Sequence, residues 1–228
     1  MYDLYIANKN YSSWSLRPWV LMRELAIPFR EILVPFGGAQ HPDAFKAFSP
    51  TGKVPCLVDG ALTIWDSLSI TEYLAERHAG VWPAEAAARA WARSAAAEMH
   101  SGFQALRNTC GMCCGLRITL HAMDAALQRD LRRLEALWAD GLAKFGGPFL
   151  AGERFGAADA FFAPVAFRFQ TYGLPLDETA RRYAERLLAL PSMQTWYHAA
   201  LAETWRDAEH EEEMRAAGTW REDLRARS

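Results

Sequence analysis

The stretch SPTGKVPCLVDGALTIWDS, residues 49–67, decides the fold. Two short apolar runs, Val54–Val58 and Leu62–Trp65, flank Asp59-Gly60, and Asp-Gly between such runs is a strong hairpin signal. Ser49-Pro50-Thr51-Gly52 ahead of them is a turn cluster. Asp66-Ser67 behind them opens a helical pattern to about Arg77, with Leu68, Ile70 or Thr71, and Leu74 on the side to be buried.

Upstream, Tyr2, Leu4 and Ile6 alternate with Asp3 and Tyr5, a strand pattern. A turn-like stretch, Asn8 to Ser13, follows, and a helix opens near Ser15 with Pro18 in its first turn. Ile27-Pro28 closes it, and Phe29 to Val34 reads as a second strand. Strand-helix-strand requires a crossover, so these two strands are expected to be parallel. A loop with Pro35, Gly37, Gly38 and Pro42 leads into a short helical turn around Asp43 to Phe48. The order is β-α-β-α-β-β-α in a mixed sheet, a thioredoxin-like α/β unit. The terminal antiparallel hairpin separates it from a dinucleotide-binding half.

Downstream of His78–Pro83 the strand signals disappear. Trp91, Ala95, Met99, Gly102 and Leu106 form one helical stripe, and Met123, Leu127, Leu131, Leu134 and Trp138 another. Residues 157–170 and 179–190 also read as helices. A mixed α/β domain over 1–80, a linker at 81–84 and an all-α domain over 85–228 are expected. Half of the residues from Glu203 onward are charged, which reads as a solvated terminal helix and tail.

The 228 residues carry 25 basic against 27 acidic side chains, a net charge of −2, and this excludes generic polyanion or nucleic-acid binding. No apolar run approaches the ~18 residues of a membrane span. Met1-Tyr2-Asp3-Leu4 is unlike a secretory leader, so cytosolic residence without a membrane partner is the expectation. The four cysteines, Cys56, Cys110, Cys113 and Cys114, are too few and too uneven for a disulfide framework. No Cys/His pair follows Cys110-Gly111-Met112-Cys113-Cys114 at zinc spacing, so these read as small buried residues and no metal is expected.

Three local features carry chemistry. Ser12-Ser13-Trp14-Ser15 sets hydroxyls ahead of a helix, where they cap it or help its positive end hold an anion. Ser15 is the expected cap, and Ser12 is left open. Lys53-Val54-Pro55 reads either as an edge-strand start or as a bend, compatible with a cis bond, that lets Val54 pair with an extended peptide. Asp66-Ser67 either caps a helix or offers a carboxylate, a hydroxyl and free N–H groups to a ligand with an amine and a carboxylate.

In a β-α-β-α-β-β-α unit these three places share one edge of the sheet. Ser12–Arg17, Ser49–Leu57 and Ile64–Leu74 together resemble the cytosolic glutathione transferase family, over essentially the whole chain. Ser12-Ser13-Trp14-Ser15 is most similar to the serine-type, zeta-like branch, with Trp14 where that branch has cysteine. The resemblance implies glutathione as co-substrate, Ser12 as catalytic hydroxyl and Ser13 as supporting donor. It implies that Val54 pairs with the cysteinyl unit, that Asp66 and Ser67 hold the γ-glutamyl end, and that Lys53 faces the glycyl carboxylate. A small hydrophobic electrophile is the implied second substrate, and a homodimer the implied assembly, with Trp65 near its surface.

A hydroxyl at a helix start favours the thiolate of a thiol whose ordinary pKa is ~8.5. The second-substrate pocket is expected among Tyr11, Trp14, Met99, Phe103 and Arg107, with Arg107 favouring anionic compounds and Met99 and Phe103 equally readable as core. Two rival functions share the fold: isomerisation of an unsaturated diacid, which regenerates glutathione, and non-catalytic glutathione carriage. Gly156 stands where the family has a hydroxyl capping residue, and Asp159 keeps the far end of that capping box.

Overall fold

Alternation in the first strand is borne out by burial: Leu4 and Ile6 are completely buried in β1 (Tyr2–Ile6), while Tyr5 is only half-buried. The computed structural model describes residues 1–37 and 44–226. Gly38, Pro42 and Asp43, expected in the loop and turn after the second strand, lie outside the described residues. β1 is interior in a four-stranded sheet of order β2-β1-β3-β4. It runs parallel to β2 (Phe29–Leu33) and antiparallel to β3 (Cys56–Asp59), which pairs with β4 (Leu62–Ile64). Gly60, at φ +59°, supplies the left-handed residue that the β3–β4 turn requires.

The helix α1 (Ser13–Glu24) crosses from β1 to β2 and buries Leu16, Val20 and Leu21, each contributing roughly 1.5–3 kcal/mol by leaving water. It starts two residues before the expected Ser15. Pro18 therefore falls in its second turn, where its missing N–H leaves the Trp14 carbonyl without a helical donor. Ala44–Ala47 form one 3-10 turn, and α2 (Ser67–Ala75) closes the domain.

The second half is built on α6 (Ala157–Tyr172), buried at every position except Gln170. A helix apolar on all sides is a core helix. Around it lie α3 (Ala86–Ser101), α4 (Gln104–Thr109), α5 (Ala125–Phe145), α7 (Glu178–Leu188), α8 (Pro191–Ala202) and α9 (Ala208–Ala217). Asp159 joins neighbouring segments by accepting from Leu150 N (3.0 Å), Gly156 N (3.0 Å) and the Tyr183 hydroxyl (2.7 Å).

One feature departs from an all-α domain. Leu116–Leu120 (β5) pairs antiparallel with Gly218–Asp223 (β6) in a separate two-stranded ribbon. The charged tail is therefore partly anchored: Arg225 is buried and ion-paired with Glu211 and Asp223. Charge patterning misses this because the partner strand lies about a hundred residues away and supplies backbone pairing as well as apolar contact.

Candidate active site

The segment Asn8-Lys9-Asn10 is a buried hub between the two halves of the chain rather than a surface turn. Glu203, just past α8, accepts the Lys9 N–H at 2.7 Å. The Asn10 side chain donates to the Ala200 carbonyl at 2.5 Å and accepts from Gly115 N at 3.2 Å. Trp196 donates to the Lys9 carbonyl at 2.9 Å. These bonds fix the residues that follow, the start of α1.

Ser12 occupies the N-cap position of α1 but makes no side-chain capping bond. Its hydroxyl is buried and donates to Ser15 Oγ at 2.7 Å, and that oxygen also accepts from Ala7 N at 3.3 Å. Ser15, the expected cap, thus sits inside the first turn and braces it against the end of β1. Ser13 is the first helical residue, and its oxygen accepts from the Arg168 guanidinium at 3.4 Å. An oxygen that accepts from a cation keeps its own proton for another acceptor.

Trp14 lines two adjoining cavities. The larger, about 940 Å³, is lined by Trp14, Lys53, Val54, Pro55, Asp66 and Arg107 among others. The smaller, about 370 Å³, is lined by Tyr11, Ser12, Ser13, Arg107, Arg168 and His210 among others, with Lys53 and Val54 bordering both. The Val54–Pro55 bond is cis, as is Trp65–Asp66. Asp66 caps α2 by accepting from Leu68 N (2.9 Å) and Ser69 N (3.4 Å), and its other oxygen lies 3.2 Å from His100 Nε2. Ser67 is fully buried behind it, its hydroxyl accepting from Arg17 at 3.5 Å.

The electrostatics are lopsided. The Trp14 ring is flanked by the Arg17 and Arg107 guanidiniums, at 4.1 and 4.7 Å from its centroid. Among the described residues, Arg17, Arg107 and Arg168 form no ion pair, although Arg17 and Arg168 are almost wholly buried. Burial, reinforced by the neighbouring arginines, lowers Arg17 to about 9 and Arg168 to about 10, so both stay cationic at neutral pH. Burial likewise lowers His100, against the pull of Asp66. A positive field at a helix N-terminus suits an anion.

Two expected pocket residues are elsewhere. Met99 and Phe103 line neither cavity. Met99 is 1% exposed on the buried side of α3, and Phe103 packs edge-on against Phe162 of α6. Their spacing was that of a core stripe. The cysteines are all buried with raised pKa values, and Cys56 Sγ donates to the Phe48 carbonyl. Among the described residues, no group of three or more His, Cys, Asp or Glu side chains is placed to hold a metal ion. No described helix is long and apolar enough to cross a membrane. Sequence reasoning missed Arg168 and His210, since one lies in a core helix and the other in a charged tail.

Residues 11–77 match the family model "Glutathione S-transferase, N-terminal domain", and residues 85–224 match "Glutathione S-transferase, C-terminal domain". Glutathione S-transferase T2 of Arabidopsis thaliana is 32% identical over 58% of this chain, a span covering 24% of that protein's length. A probable maleylacetoacetate isomerase of Vibrio cholerae is 26% identical over 68% of this chain and 76% of its own. A glutathione transferase homologue from Burkholderia, solved with bound glutathione, superposes with a TM-score of 0.66 at 25% identity, covering 87% of this chain and 97% of that one. A theta-class enzyme from Xanthomonas axonopodis, also with glutathione bound, gives 0.62 at 25% identity over 86% and 96%.

Proposed function

The chain belongs to the glutathione S-transferase family, and from that premise we propose that it binds glutathione, holds its sulfur as a thiolate and conjugates it to small electrophiles. The observation that carries this reading is the start of α1, where two serine hydroxyls lie in the field of cations that have no carboxylate partner among the described residues. Ser12 donates the hydrogen bond that the glutathione sulfur accepts. Its proton rests on a neutral oxygen of Ser15, and a thiolate is the stronger acceptor. Ser13, backed by Arg168, supports it. Val54 pairs its backbone with the cysteinyl unit. Asp66 and Ser67 take the γ-glutamyl amine and carboxylate, and Lys53 the glycyl carboxylate. The electrophile enters the smaller cavity, between Tyr11, Trp14 and Arg107. Two copies are proposed to pair through the face carrying exposed Leu62 and Trp65.

One hydrogen bond to a charged sulfur contributes roughly 1.5–3 kcal/mol, enough to raise the thiolate fraction at neutral pH about tenfold or more. Following thiolate absorbance of bound glutathione against pH tests this. The wild-type midpoint is expected below the ordinary ~8.5, and Ser12→Ala is expected to raise it by about one pH unit or more. A wild-type midpoint equal to that of free glutathione refutes the mechanism. An unchanged midpoint in Ser12→Ala with a raised one in Ser13→Ala transfers the role to Ser13.

A second reading is favoured by the unpaired Arg107 and Arg168 in the smaller cavity, which suit the carboxylates of an unsaturated diacid. In that case the same thiolate isomerises a double bond. Recovered glutathione, in place of an accumulating conjugate, distinguishes it.

A further inference from the structure

His210 lines the smaller cavity together with Ser12 and Ser13, yet belongs to the helix nearest the chain's end. Its Nδ1 lies 2.5 Å from Asp207 Oδ2, and the Asp207 side chain is buried. The ring stacks on Tyr11, with centroids 5.3 Å apart, and on Phe36, at 5.1 Å. Asp207 is itself held where β2 runs on into Gly37: a Cβ added at Gly37, at φ +64°, would meet Asp207 Oδ1 at 2.8 Å. Capping of α9 needs only the bond from His210 N to Asp207, at 3.2 Å, so the ring contact goes beyond what the helix end requires.

The acceptor at Nδ1 sets the tautomer: with the proton there, Nε2 carries the lone pair of the neutral ring. Nε2 has no hydrogen-bond partner among the described residues. A histidine oriented on one nitrogen by a carboxylate, clamped by two rings and open at the other nitrogen is built as a proton carrier.

We propose that His210, oriented by Asp207, delivers a proton to the second substrate, and that this site is equipped for addition to electron-poor double bonds conjugated to a carbonyl. The proposal rests on the glutathione transferase reading. In the step, the thiolate forms a C–S bond at the β-carbon and the C=C electron pair moves toward the carbonyl oxygen. The Nε2 lone pair of the neutral ring takes the proton that the thiol releases on ionising, and Nε2 then passes that proton to the resulting enolate. The ring returns to its neutral tautomer, every proton is accounted for, and nothing leaves. Displacement of halide from an aryl ring needs no such proton, because chloride departs with the electron pair.

The test compares turnover of benzylideneacetone, an enone, with that of chlorodinitrobenzene, both at saturating glutathione. In His210→Gln the enone-to-aryl-halide ratio of kcat is expected to fall by about a hundredfold or more. Added imidazole is expected to restore enone turnover in His210→Ala. Asp207→Asn, which keeps an acceptor for the helix cap, is expected to lower the same ratio and serves if the His210 variants fail to fold. A ratio unchanged in folded His210 and Asp207 variants overturns the proposal, as does an equal fall for both electrophiles. Wild-type protein that turns over neither electrophile refutes the transferase reading instead, and the proposal falls with it.

Discussion

Glu203 accepts the backbone N–H of Lys9 at 2.7 Å across 194 positions of sequence, and so ties the far end of the helical half to the loop that carries Ser12. The same carboxylate lies within reach of the Asn10 N–H and side-chain amide. Burial raises its pKa despite these donors. The start of α1 is thus positioned from both domains at once.

Removing that acceptor leaves buried donors unsatisfied, each costing about 1–3 kcal/mol. Glu203→Ala is expected to lower unfolding free energy by roughly 2–4 kcal/mol and to weaken glutathione binding. Chemical denaturation and calorimetric titration measure the two effects. Full stability with intact binding would show that the tie does not position the site.

Arg107 borders both cavities, and among the described residues its guanidinium donates only to the carbonyls of His100 and Gly102. Its charge is free to meet a ligand. Arg107→Gln is expected to lower kcat/KM for a carboxylate-bearing electrophile by about tenfold relative to the matched neutral amide. Equal losses for acid and amide would assign Arg107 a purely structural part.

Burial pushes the Asp159 carboxyl from its ordinary 3.8 up to about 6, against the pull of its three donors. Because the folded value exceeds the unfolded one, the stability this group contributes is complete below the unfolded value. It is lost as pH rises through about 6. The stability advantage of wild type over Asp159→Asn is therefore expected to narrow from about pH 4 to about pH 7. A widening gap over that range would mean that the donors outweigh the burial.

All four cysteines are buried, and desolvation raises Cys56 to about 11, Cys110 to about 12 and Cys113 to about 11. The reactive form of a cysteine is its thiolate. Native protein is expected to resist an aromatic disulfide reagent near neutral pH, and to titrate four thiols once unfolded in guanidinium. Fast labelling of the folded protein would point to opening around Cys110–Cys114.

Local chemistry made much of the first domain legible. Asp59-Gly60 dictates its turn through left-handed backbone that few residues accept, and period-two burial in Tyr2–Ile6 follows from pleat geometry. Asp66 ahead of Ser67 caps α2 as its side chain predicts. The tail was less legible. The acids and arginines between Glu203 and Arg225 look solvated in one dimension, while Arg225 is buried and β6 pairs with a strand on the far side of α5 to α9.

The amino-acid order alone determined the parallel crossover from β1 to β2, the β3–β4 hairpin and the serine run at the start of α1, because turns, caps and hydrophobic periods act over a few residues. Only the tertiary structure decided which serine proton is engaged, that Met99 and Phe103 belong to the core, and that Arg168 and His210 face the same cavity as Ser13. The first is a bond three positions long within the turn, the second joins α3 and α4 to α6, and the third brings Arg168 to Ser13 across 155 positions. There, hydrogen-bond direction and desolvation are set by neighbours that no local pattern names.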